Sequence, residues 1–263
     1  MKKNLFFVAA ALAAMFGATS CVNEVDMFKY NGTGTINLSV TNDDVFATTR
    51  ADATSLDNFT SDWIVTITGR KSESPFSYTK AAGTALTATH SVPSDTYDIT
   101  AKSGDAEANA TSTSSRGKAF WTKSIEQAIT AGQTANVVVD CGKATNGRVE
   151  VEFSDDFKAA FSTYKLTASV GSTTVDFDAT NSTPAYFAAG TAVNYVLTYG
   201  EGKRYSAEGS TKSITIVAGT SHKLSFTTNN EGQITLMISY TDFEQTSAES
   251  VQFNALTGEI VTP

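Results

Sequence analysis

The chain has 263 residues, 41% hydrophobic and 17% charged, with 19 Lys and Arg against 27 Asp and Glu for a formal charge of −8. That balance speaks against nucleic acid and anionic membrane surfaces as partners, and the length suits two modest domains of roughly 100–150 residues each. With two cysteines and two histidines, no His, Cys and carboxylate cluster has metal-ligand spacing, and no cofactor is expected.

The chain opens on Met1-Lys2-Lys3-Asn4 and an apolar run from Leu5 to Phe16, then closes that run with Gly17-Ala18-Thr19-Ser20-Cys21. A positive start, an apolar stretch and small residues before a cysteine read as a lipoprotein signal peptide over residues 1–20, with Cys21 acylated as the first mature residue. The apolar run is shorter than the about 20 residues of a spanning helix. Each buried acyl methylene contributes about 0.8 kcal/mol, so several chains together anchor the protein to a membrane without crossing it. Residues 21–31 then form a tether. If Cys21 carries lipid, Cys141 has no partner in the chain, and its place in Val137-Val138-Val139-Asp140-Cys141 favours a buried thiol over a reactive one.

From Gly32 onward the pattern alternates. Ile36, Leu38 and Val40 fall on one face of a first strand, and further strands are expected at Trp63–Gly69, Tyr97–Lys102 and Ala135–Asp140. The second half repeats the grammar at Arg148–Phe153, Tyr164–Val170, Ala192–Thr198 and Ile234–Ser239. One exception is Asp155–Phe161, where Phe157, Ala160 and Phe161 have helical spacing behind Ser154 as N-cap, predicting a single short helical turn. An internal repeat aligns Ile129–Val139 onto Ile216–Phe226 without gaps, with Ile-x-Ala-Gly and then an apolar strand as its kernel. The expected fold is all-β, two tandem sandwiches over 32–142 and 148–263, joined near Lys143–Gly147.

The Cys21 motif, the first strand Thr35–Val40, the segment Thr48-Thr49-Arg50-Ala51-Asp52 and the central Val149–Phe157 together resemble the fimbrillin-like lipoproteins of Bacteroidales, the subunits of type V pili. The resemblance implies transthyretin-like sandwiches and an outer-membrane, lipid-anchored, cell-surface location, to which the acidic Glu24 and Asp26 after Cys21 also correspond. It implies too that a trypsin-like protease cuts after Arg50, making Ala51 the new N-terminus and releasing lipid and first strand together. The vacated groove would accept a strand from another subunit. The C-terminal runs Ser250–Leu256 and Ile260-Val261 alternate well enough to donate that strand, or else to close their own sheet. Partners would then be other pilus subunits or a second copy through strand addition, the membrane through the anchor, and a host or glycan ligand.

Catalysis is not expected. Asp155-Asp156 is the one tempting carboxylate pair, but acids at a helix start complement its dipole, and no Ser, His and Asp spacing suggests a triad. The competing reading is a surface glycan binder that does not polymerise, using Trp63, Trp121 and some of nine tyrosines as platforms. Both tryptophans also have a plainer role, filling a core.

Overall fold

The computed structural model describes residues 32–42, 63–71, 75–103, 109–206, 213–229, 233–241, 246–256 and 260. These contain seventeen strands and one helix, the all-β class expected. No helix among the described residues is long and apolar enough to cross a membrane.

In the first half, β1 (Thr33–Thr41) lies between β4 (Thr89–Pro93) and β7 (Thr134–Asp140), antiparallel to β4 and parallel to β7. A second sheet runs β3 (Ser77–Lys80), β2 (Ile64–Gly69), β5 (Asp95–Lys102), β6 (Thr122–Ile129). Alternation along each strand turns one face inward, so Ile36, Leu38 and Val40 of β1 meet Val65, Ile67 and Ile99 of the opposite sheet in one core.

The second half repeats the plan on a larger scale. One sheet has the order β11 (Ala185–Ala188), β8 (Asn146–Phe153), β15 (Ser221–Thr228), β16 (Gln233–Thr241), β17 (Thr246–Asn254). The other has β10 (Thr173–Asp178), β9 (Tyr164–Val170), β12 (Ala192–Tyr199), β13 (Lys203–Ser206), with the two-residue β14 (Ile214–Thr215) also on β12. Their facing side chains form a separate core around Val151, Phe153, Leu166, Phe177, Leu197 and Phe226. The first strand of this half, β8, begins at Asn146, inside the stretch expected to join the halves. The predicted helical turn is α1 (Asp155–Ala160). The Ser154 side chain caps it by accepting the Phe157 N–H at 3.1 Å, and Phe157 is fully buried among Phe153, Phe161 and Phe226.

The internal repeat holds down to single atoms. Thr35 N–H donates to Gln133 O at 2.8 Å, and Arg148 N–H to Thr220 O at 2.9 Å; Gly132 N–H donates to Thr33 O and Gly219 N–H to Asn146 O, both at 2.9 Å. In each half a strand, a turn and a parallel partner therefore share one backbone solution. Gly132 and Gly219 occupy the turn with φ of 76° and 64°, a left-handed conformation that glycine adopts without steric cost. Gly34 and Gly147 are needed for a different reason. A Cβ on Gly34 would come within 2.6 Å of both Ile129 Cγ2 and Thr130 O, and one on Gly147 within 2.7 Å of Ile216 Cγ2 and 2.5 Å of Val217 O.

Candidate functional site: the slot of the first strand

The β1 strand owes its place to partners far away in sequence. It faces β4 in five register pairs, Thr33 to Asn37, and β7 in seven, Thr35 to Thr41. Ile36 and Val40 are wholly buried and Leu38 nearly so. At about 1.5–3 kcal/mol for burying each such side chain, the three anchor the strand, and without it the same slot would expose apolar walls and two rows of unpaired backbone groups, on β4 and β7.

The outer face of β1 is neutral. Asn37 donates its side-chain N–H to Asn136 Oδ1 at 3.1 Å and accepts from Thr89 Oγ1 at 3.2 Å, while Thr41 Oγ1 donates to Asp140 Oδ1 at 3.2 Å. These ties are exposed; the two at Asn37 contribute about 0.5–1.5 kcal/mol each, and the one to the Asp140 carboxylate somewhat more. The equivalent strand β8 carries charge on the same face. Arg148 pairs with Glu150, Ser221 Oγ donates to Glu150 at 2.7 Å, and Lys223 pairs with Glu152 at 2.7 Å.

Among the residues singled out from sequence, Cys21, Arg50 and Ala51 lie outside the described residues. Cys141 is buried beside the first core, and burial, with Asp140 next in effect, pushes its thiol up to about 11, which keeps it protonated and unreactive at neutral pH. Trp63 and Trp121 are 6% and 8% exposed with ring centroids 6.3 Å apart. They pack the first core and form no surface platform. Asp155 and Asp156 sit in the first turn of α1, Asp155 bonding Lys158 at 3.3 Å. His222 is fully buried, with Nδ1 on Arg148 O at 3.2 Å and Nε2 accepting Val217 N–H at 3.3 Å. This arrangement fits a neutral ring protonated at Nδ1, and burial lowers its pKa. Among the described residues no group of three or more His, Cys, Asp and Glu could hold a metal ion.

The Ser- and Thr-rich loop between β5 and β6 escaped the sequence reading. It reaches into the second half, where Ala110 joins the core. Arg116, 8% exposed, donates to Thr183 O at 2.6 Å and to Asp176 O, with its guanidinium 4.6 Å from the Phe177 ring centroid. An open cleft of about 560 Å³ runs beside it, lined by Thr113, Ser114, Lys118, Asn181 and Thr183 among others. The one available signal was a lone arginine in an otherwise uncharged run, Thr111–Gly117, and loop arginines are too common for that to decide.

Residues 32–252 match the family described as Domain of unknown function (DUF4493). The chain belongs to that family. No curated protein matches it. Three solved structures share the alignment at low similarity. A candidate adhesin from Bacteroides ovatus ATCC 8483 is 11% identical, with a TM-score of 0.29, covering 91% of this chain and 88% of that one. The TIE protein of Bacillus anthracis is 6% identical at a TM-score of 0.27, covering 85% of this chain and 44% of its own length. A double variant of the shaft pilin SpaA from Lactobacillus rhamnosus GG is 11% identical at a TM-score of 0.21, covering 85% and 93%.

Proposed function

We propose that this DUF4493 protein is a cell-surface lipoprotein, a fimbrillin-like pilus component or adhesin, whose first strand is a removable plug. The observation that supports this reading is the position of β1. It is central in its sheet, buried along one face through Ile36, Leu38 and Val40, and joined to β4 and β7 by backbone pairing and neutral side chains. In this account acylated Cys21 tethers the precursor to the outer membrane, and a trypsin-like cut after Arg50 leaves Ala51 as the new N-terminus. Arg50 falls between the end of β1 at Thr41 and the start of β2 at Ile64, so the cut separates the plug from everything that holds the rest of the sandwich. The open slot then takes a strand from another subunit, which restores both backbone ladders and re-covers the apolar wall. The protein performs no chemistry and needs no cofactor.

The C-terminal strand is the other half of the question. In the single chain β17 pairs with β16 over nine residues, and Phe253 is fully buried, stacked on Tyr205 at 4.2 Å. It closes its own sheet, so donating it would mean giving up those contacts. A glycan platform built on Trp63 and Trp121 is not part of the proposal, because both are core residues.

The test is the N-terminal sequence and intact mass of the protein recovered from its native cell surface. A start at Ala51 without lipid, in high-mass assemblies, is the expected result. An acylated start at Cys21 on a monomer would rule out a shaft subunit.

A further inference from the structure

The loop from Asn109 to Gly117 belongs by sequence to the first half, yet its bonds go to the second. Ala110 N–H donates to Tyr186 O at 2.7 Å and Tyr186 N–H to Arg116 O at 2.8 Å. Both backbone groups of Tyr186, in the middle of edge strand β11, are thereby taken on the side away from β8. The neighbouring outward positions are closed in part. Pro184 has no N–H to offer, and Ala188 O accepts from Thr191 N–H and, at 2.6 Å, from its hydroxyl. The same loop covers the edge of the opposite sheet. Asp176, on edge strand β10, donates its N–H to Thr113 Oγ1 at 3.0 Å and accepts Arg116 Nη2 on its carbonyl. The loop holds its own shape through Thr111 N–H on Ser115 O at 2.9 Å and an antiparallel bridge between Asn109 and Gly117.

We infer that residues 109–117 are a guard strap, which closes both sheet edges on one side of the second sandwich against strand addition by a second copy of the chain. Open edges are sites of edge-to-edge pairing, and proteins cover them with loops. With the strap displaced, β11 meets β11 of another copy, a self-complementary contact of the kind that makes two-fold dimers. The strap is independent of the β1 plug, so an uncut chain tests it alone.

The experiment uses the chain without residues 1–21, uncut, by analytical ultracentrifugation. The wild type is expected to be monomeric. Arg116→Ala is expected to dimerise at least tenfold more strongly, and adding Tyr186→Pro, which removes the outward N–H, to return it to monomer. An Arg116→Ala chain with native circular dichroism that stays monomeric at the same concentrations overturns the inference. Should Arg116→Ala fail to fold, Thr113→Ala removes one strap bond, and the Asp176 amide is then expected to exchange hydrogen at least tenfold faster. Unchanged exchange there would also overturn it.

Discussion

The strands β1 and β8 are one backbone solution used twice, and the difference between them lies in what surrounds it. Each has as its second residue a glycine pressed against an isoleucine, and each runs parallel to the strand after an Ala-Gly turn. Where the last inward residue of β1 is Val40, however, that of β8 is Phe153, which packs on Phe157, Tyr164 and Phe226 and leads straight into the capped turn of α1. Where β1 shows Thr35, Asn37 and Ser39 outward, β8 shows Arg148, Glu150 and Glu152, paired with each other or with β15. A strand fixed by an aromatic cluster and ion pairs stays with its sheet. In the proposed function β1, held by three aliphatic side chains and exposed side-chain hydrogen bonds, is the strand that leaves and is replaced by one of matching alternation.

The largest expected contrast comes from the inward end of each strand. Phe153→Ala is predicted to destabilise the second half by about 3–5 kcal/mol, against about 1.5–2.5 kcal/mol for Val40→Ala in the first, from two lost methyl groups and a smaller cavity. Denaturant melts followed by local hydrogen exchange would separate the halves, and equal losses would remove the asymmetry. Next, Gly34→Ala and Gly147→Ala should each cost about 1–3 kcal/mol through overpacking, and each in its own half. If Gly34→Ala were silent, the shared backbone solution would not constrain β1.

A pH difference follows from His222, whose place in the repeat is taken by Ala135 in the first half. Its folded pKa is depressed by burial, so the unfolded chain takes up a proton first. The associated stability is fully present above the ordinary imidazole value of about 6.5 and is lost as pH falls below it. Lowering pH from 7.5 to 5 should therefore reduce protection in the second half, and His222→Gln should flatten that dependence. A dependence that His222→Gln leaves intact would point to another group. The smallest effect is expected for Glu152→Gln, which removes the exposed pair with Lys223, at about 0.2–1 kcal/mol and less in high salt.

Much of the fold was legible because most strands cover one face and expose the other, which writes a period of two into residues such as Ile36, Leu38 and Val40. The capped turn at Ser154–Phe157 was legible from side-chain chemistry alone. Short edge strands such as β3, β11 and β13 were not, since four residues carry too little alternation. Lys80 was also invisible. Its ammonium is buried and bonded to Trp63 O, a contact made by the tertiary fold between residues that carry no joint pattern. For the same reason the strap could not be found. Arg116 meets Asp176 and Thr183 some sixty residues away, and no local rule links them. The β1 slot was legible only as an alternating strand; its central position needed β4 and β7 to be paired.

The central claim is that β1 can leave and be replaced. Limited digestion of the purified chain with a trypsin-like protease, followed by native mass spectrometry, tests it most directly. The account predicts a product beginning at Ala51 that has lost the fragment carrying β1 and has gathered into assemblies. A product cut after Arg50 that keeps that fragment bound, as a monomer, would contradict it.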